Sequence, residues 1–147
     1  MFFKIPSAWW CGVRLEQLTD TLAQTRVRHR WINQNPFNSM FWAVQGMAAE
    51  FASGAIAIHH IRQSGKPVSM LVINNRANFS KKAKGLIRFT CKNGEALRQT
   101  INQAITTGDG QTLWMTSVGT DADGNVVSTF EFEWSFKLKS TALRHPN

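Results

Sequence analysis

The 147-residue chain contains no tyrosine and only two cysteines. The ten phenylalanines and six tryptophans therefore make an almost wholly apolar aromatic load. Cys11 and Cys91 lie far apart and form no CxxC or Cys/His ligand spacing. That argues against a zinc site or a disulfide framework and for two reduced, buried thiols. No glycine-rich phosphate loop, nucleophile elbow, internal repeat, low-complexity tract or linker is present. The first residues lack the basic and long apolar regions of a secretion signal, so a cytoplasmic protein is expected. The longest apolar stretch, residues 40–58, is interrupted by Gln45, Glu50, Ser53 and two glycines, which makes it a poor membrane span and a good buried helix.

Hydrophobic residues make up 43% and charged residues 18%, the balance of an ordinary globular domain. One domain over residues 1–147 is expected, with residues 1–12 and 140–147 peripheral. The net charge of +8 favours an anionic partner: nucleic acid, acidic lipid, an acidic protein or a phosphorylated ligand.

Several segments declare their local structure. Val27, His29 and Trp31 alternate with Arg26, Arg28 and Arg30, which predicts a strand with one basic face. Leu15, Leu18 and Leu22 before it fit a short strand or a helical turn equally. Asn35-Pro36 breaks the chain, and Asn38 or Ser39 can cap the helix that follows. That helix runs to about Arg62, ends at Ser64-Gly65, and should be buried nearly all round. Residues 67–80 form a strand, with Val68, Met70 and Val72 on one face and Leu71, Ile73 and Phe79 on the other. A basic turn holds Lys81, Lys82 and Lys84, and residues 86–92 form the next strand. Asn93 caps a short helix with Ala96, Leu97, Ile101, Ala104 and Ile105 at helical spacing. Residues 111–119 and 126–139 form a hairpin in which Phe130, Phe132, Trp134, Phe136 and Leu138 face inward. An antiparallel sheet around one long apolar helix follows, an α+β architecture.

Glu50 is the only charged side chain between Arg30 and Arg62. An ionised carboxylate in an apolar helix is costly unless it is paired or faces a cleft. It lies on a wetted stripe, pairs with a strand arginine, or works at a ligand site as general base or nucleophile. His59 and His60 are adjacent and point to different helix faces, so they cannot chelate one metal as an i, i+4 pair would. Asp121, Asp123, Gly124 and Asn125 read as a hairpin turn, because the glutamate that closes a calcium loop is missing. Arg26, Arg28 and Arg30 with Trp31, Trp9 and Trp10 could form a nucleic-acid platform. No RNP, KH or helix-turn-helix signature accompanies them, and a solvated face or pairing with Glu131 and Glu133 is the simpler reading.

The segment from Asn35 through Pro36, Phe37, Asn38, Ser39, Met40, Phe41, Trp42 and Ala43, followed by Glu50, resembles the hotdog thioesterase superfamily, in a branch related to phenylacetyl-CoA-type enzymes. In that family an Asn precedes a Gly-Thr-x-His-Gly-Gly stretch at the helix start, and an acid lies further along the helix. The resemblance implies a hotdog fold with an extra short helix between later strands. It implies catalytic roles for Asn35 and Glu50, substrate contacts from Asn38, Ser39, Phe41 and Trp42, and phosphate contacts from Arg76, Lys81 and Lys82. Phe41 stands in place of the family's His, and Trp42-Ala43 replace its paired glycines, which narrows the pocket. The implied substrate is an acyl-CoA or acyl-carrier-protein thioester, with no metal and no cofactor beyond the coenzyme A moiety. The implied assembly is a homodimer or homotetramer. A non-catalytic acyl-binding module on the same fold is the alternative, with nucleic acid a weaker third.

Overall fold

The computed structural model describes residues 4–140. The predicted looseness of the last residues, from Arg144 on, lies outside them. The elements run α1 (Pro6–Trp10), β1 (Arg14–Leu18), β2 (Ala23–Arg28), a 3-10 turn (Trp31–Asn33), α2 (Trp42–Ser64), β3 (Val68–Phe79), β4 (Leu86–Cys91), α3 (Gly94–Thr107), β5 (Gln111–Thr120) and β6 (Val126–Leu138). Six antiparallel strands form one sheet in the order β1-β2-β4-β5-β6-β3. The sheet wraps α2, the hotdog arrangement that the resemblance implies. No helix among the described residues is long and apolar enough to cross a membrane.

The 23-residue helix α2 is rich in alanine and glycine on its sheet side. Ala48, Ala49, Ala52, Ile56 and Ala57 are fully buried. Small side chains bring the helix backbone close enough for the sheet to bond it directly. The Thr25 hydroxyl donates to the Ala48 carbonyl at 2.7 Å, and the Ser117 hydroxyl donates to the Ala49 carbonyl at 2.7 Å. The Trp134 indole N–H donates to the Ser53 hydroxyl at 3.0 Å. Beneath lies an apolar core that includes Val27, Ile87, Phe89, Met115 and Phe136. α3 closes one end of the core with Leu97, Ile101 and Ala104.

At the C-terminal half of α2, the β1–β2 turn is clamped down. Asp20 accepts from Gln63 at 2.9 Å and bonds the His59 ring at 2.8 Å through its carboxylate, while its carbonyl bonds the His60 ring at 2.8 Å. The two histidines thus reach one turn, by different atoms. Among the described residues no cluster of His, Cys, Asp and Glu could hold a metal. Cys91 is buried, which pushes its thiol up to about 11, and Cys11 is partly buried. The segment Asp121 to Asn125 is a turn: the Asp121 carboxylate accepts from the amides of Asp123 and Asn125, at 3.0 and 2.9 Å.

Six expectations need correction. The helix starts at Trp42, its N-cap is Phe41, and no side chain caps it, because Asn35 and Ser39 bond each other in the preceding loop. α2 is not buried all round, since Phe41, Trp42, Glu50 and Ile58 are exposed. β2 ends at Arg28, and Trp31 lies in the 3-10 turn. In β3 the register shifts between Val72 and Asn74, so one extra residue flips the alternation. Phe79 therefore shares a face with Val68 and packs edge-on against Phe130, ring centroids 5.6 Å apart. Glu131 pairs with Arg76 rather than with β2, because β3 is the strand beside β6. Asn93 is the N-cap of α3 by position, but its side-chain oxygen accepts from the Thr116 amide at 2.9 Å and so ties the helix to β5.

Two glycines separate tight packing from loose. A Cβ on Gly119 would stand 2.5 Å from the buried Phe89 ring, whereas one on Gly46 would meet Phe130 at an ordinary 3.5 Å. Gly119→Ala should destabilise the protein by about 1–3 kcal/mol through overpacking. Gly46→Ala should be neutral or stabilising by up to about 1 kcal/mol through helix propensity. Urea denaturation of both variants tests this, and equal effects would contradict it.

Candidate functional site

A groove of about 630 Å³ opens where the N-terminus of α2 meets the loop after β3. Its floor contains Ser39, Met40, Gln45 and Ala83, all buried. Its walls are Phe37, Phe41, Trp42 and Phe79, all exposed, and Lys81 and Lys82 stand at its mouth. The loop before α2 is held rigidly. The Asn35 side chain donates to the Ser39 hydroxyl at 3.0 Å and accepts from the amides of Phe37 and Ser39 at 2.9 and 3.3 Å. Asn38 passes through a left-handed conformation, φ 57°, that asparagine tolerates. The Met40 amide donates to the Ala83 carbonyl at 2.9 Å, which ties this loop to the basic turn. With no side-chain cap, the first amides of α2 present the positive end of the helix dipole at the groove.

Glu50 lies elsewhere on the same helix. Eight residues separate it from Trp42, about 12 Å along the axis. It is not part of the groove lining. Gly46 packs under Phe130 and Gly54 under Trp134. Glu50 sits midway between them on the same i, i+4 row, which places it at the level of Phe132 and of Asn75, the β3 residue paired with Phe132. Its side chain reaches solvent at this seam, and it forms no ion pair among the described residues. The protein around it still strips enough water from the carboxyl to hold its pKa above the ordinary carboxylate range.

The structure thus brings Asn35, Ser39, Phe41, Trp42, Lys81 and Lys82 to one groove and leaves Asn38 just outside it. Arg76 is on the outer face of the sheet. It makes a two-pronged pair with Glu131, at 2.6 and 3.2 Å, and lies over the Trp114 ring. Lys81 is paired with Asp121 at 3.0 Å, and Lys82 is exposed. Sequence reasoning did not single out Gln45, whose amide donates to the Met40 carbonyl at 3.2 Å and accepts from Ser128 at 2.8 Å. The signal was there: an amide interrupting an apolar helix. Phe79 was concealed by the bulge.

The raised pKa of Glu50 has a testable sign. A carboxyl whose folded pKa exceeds its unfolded value favours the folded state while protonated and opposes it once ionised. The difference between Glu50→Gln and the parent should therefore grow in favour of the variant as pH rises from about 4 to 7, and vanish below about 4. Urea denaturation across that range checks it, and a glutamine variant less stable at pH 7 would show that the carboxylate is paired.

The family described as "Domain of unknown function (DUF4442)" matches residues 1–136. No curated protein matches the chain. Among solved structures, PA5026 from Pseudomonas aeruginosa, described as a protein of unknown function and probable thioesterase, superposes with a TM-score of 0.81 at 23% identity, covering 94% of this chain and 91% of that one. A mutant of the thioesterase PA1618 from Pseudomonas aeruginosa gives 0.71 at 13% identity, covering 90% and 86%. A mutant of the thioesterase SAV0944 from Staphylococcus aureus gives 0.66 at 11% identity, covering 90% and 97%. At these identities the likeness establishes the hotdog fold.

Proposed function

The chain belongs to the DUF4442 family, and we propose that it is a hotdog thioesterase that hydrolyses an acyl-CoA or acyl-carrier-protein thioester as a homodimer. The observation that carries the reading is Glu50: a carboxylate without an ion pair among the described residues, raised in pKa, exposed on an otherwise apolar helix. A raised pKa makes a carboxylate a better proton acceptor near neutrality. Glu50 takes a proton from water, the water oxygen attacks the thioester carbonyl carbon, and the C–S bond breaks as the thiolate leaves and is protonated. Direct attack by the carboxylate, followed by hydrolysis of the anhydride, uses the same residue. The amides at the start of α2 suit the developing oxyanion. The apolar groove walls suit an acyl chain, and Lys82 suits a phosphate. Asn35 acts by holding the loop that shapes the groove. Neither metal nor further cofactor enters the scheme, which is that of a cytoplasmic enzyme.

Dimerisation supplies what one chain separates. The groove and Glu50 are apart in a single copy. Among the described residues β3 offers a 12-residue edge that pairs only with β6, whereas the other edge strand, β1, is five residues long with an irregular register. Pairing of two β3 edges about a two-fold axis would let one copy's Glu50 approach the other's groove.

Phe41 and Trp42 favour a second reading. Their rings, 6.2 Å apart, crowd the groove at the helix start. A module that holds an acyl group without cleaving it would use the same walls.

Free-thiol release from a panel of acyl-CoAs separates the two. Hydrolysis by the parent, lowered by about 10²–10⁴-fold in kcat for Glu50→Ala with acyl-CoA affinity retained, is expected. Calorimetric binding with no turnover selects the second reading. Unchanged turnover in the variant removes Glu50 from the chemistry.

A further inference from the structure

We propose that the loop spanning residues 31–37 is a docking surface for an anionic lipid bilayer. Three large apolar side chains project from it: Trp31 is 84% exposed, Phe37 72% and Ile32 53%. They are held out by a rigid anchor. Asn33, between them, is 3% exposed. Its side chain donates to the carbonyls of Cys11 and Arg28 at 3.0 and 2.9 Å and accepts from the Arg30 amide at 2.8 Å. The loop cannot fold its apolar tips inward without breaking these bonds.

Cations surround the tips. Arg28 and Arg30 precede the loop. Lys82 and Lys84 come alongside because the His29 amide donates to the Gly85 carbonyl at 2.8 Å and the Met40 amide to the Ala83 carbonyl at 2.9 Å. All four are exposed, and none has an ion-pair partner among the described residues. No acid occurs in residues 21–49 or 51–94. Asp121, which approaches the basic turn from the β5–β6 hairpin, is occupied by Lys81.

Protruding indole, phenyl and aliphatic tips ringed by free basic groups suit the headgroup region of a bilayer. The rings sit at the interface, and the cations meet anionic headgroups. Trp31, Ile32 and Phe37 come from one short loop, a smaller patch than the continuous packed face that a stable protein interface needs. Trp31 and Ile32 lie outside the groove lining, so a second copy that approaches the groove leaves these two tips free. Docking does not depend on hydrolysis.

Flotation of the full chain with phosphatidylcholine vesicles, with and without about 30% phosphatidylglycerol, tests the proposal. Co-flotation is expected only with the anionic vesicles, and it should fall sharply at about 0.5 M salt. The double variant Trp31→Ala, Ile32→Ala, at two tips outside the groove lining, should lose at least about tenfold in partitioning with an unchanged melting temperature. Each of Arg28→Gln and Lys84→Gln should cost about fivefold. The proposal is overturned by absence of flotation with anionic vesicles, or by variants that float like the parent. Competition by free glycerol phosphate overturns it in favour of a soluble phosphate ligand. A change of oligomeric state in the double variant overturns it in favour of a contact between copies. Capture of an acidic carrier protein without vesicle binding overturns it in favour of a protein partner.

Discussion

The close approach of α2 to the sheet governs the rest of the molecule. Alanines at positions 48, 49, 52 and 57 bring the helix backbone near enough for Thr25 and Ser117 to donate to carbonyls in its middle turns. These bonds satisfy hydroxyls that would otherwise be buried without a partner, at a cost of about 1–3 kcal/mol each. They also fix the roll of the helix. A helix held only by apolar contacts could turn by a fraction of a residue and repack. One bonded through adjacent carbonyls cannot do so without leaving two hydroxyls unsatisfied.

That roll decides what faces outward. With Ala48 and Ala49 committed to the sheet, and Gly46 and Gly54 under Phe130 and Trp134, Glu50 is directed to the seam beside β6. Phe41, Trp42 and Ile58 stay exposed with it. An apolar helix face, a carboxylate and a long free strand edge on one side of a small domain are costly to leave in water. The same features are economical where a second copy covers them, and this is the physical ground for reading the single chain as half of a site.

Much of this was legible in the sequence, and the failures have identifiable causes. The inward row Phe130, Phe132, Trp134, Phe136 is a strict alternation, and the structure keeps it in β6. The helix end at Ser64-Gly65 was legible because Gly65 is needed at φ 67°. The buried helix itself was legible from its run of alanines, but its open face was not. Alanine is equally at home on a packed side and on one awaiting a partner, so composition does not reveal which side is which. The bulge in β3 was hidden because an extra residue leaves no mark on composition, only on the register with β6. Asn38 and Ser39 looked like caps because short polar side chains before a helix usually are, yet neither caps it, and Ser39 spends its hydroxyl on Asn35. Arg76 was read as a phosphate contact because its partner, Glu131, lies 55 residues away in sequence and the pairing depends on strand order. Glu50 was recognisable as an anomaly from sequence alone, whereas its separation from the groove required coordinates.

Charge is distributed with the same logic. Glu16, Glu95, Asp121 and Glu131 each hold a basic partner, and each has its pKa lowered by that partner's hydrogen bond. Asp20 is held by His59 and Gln63, with the same effect. Five of the nine acids are thereby engaged at outer surfaces and turns. Arg28, Arg30, Lys82 and Lys84 stand around the groove and its neighbouring loop, exposed and without an ion-pair partner among the described residues. A field of one sign over an apolar cleft draws anions toward it and raises their local concentration. Glu50 is set back from that field by about 12 Å along the helix, with aromatic rings beside it. The cations that attract an anionic ligand are thus too distant to force the carboxyl into a tight ion pair. Desolvation is the only shift its surroundings impose, and it acts upward. An anionic ligand and an unpaired proton acceptor can then serve one cleft, provided that a second chain closes the distance between them.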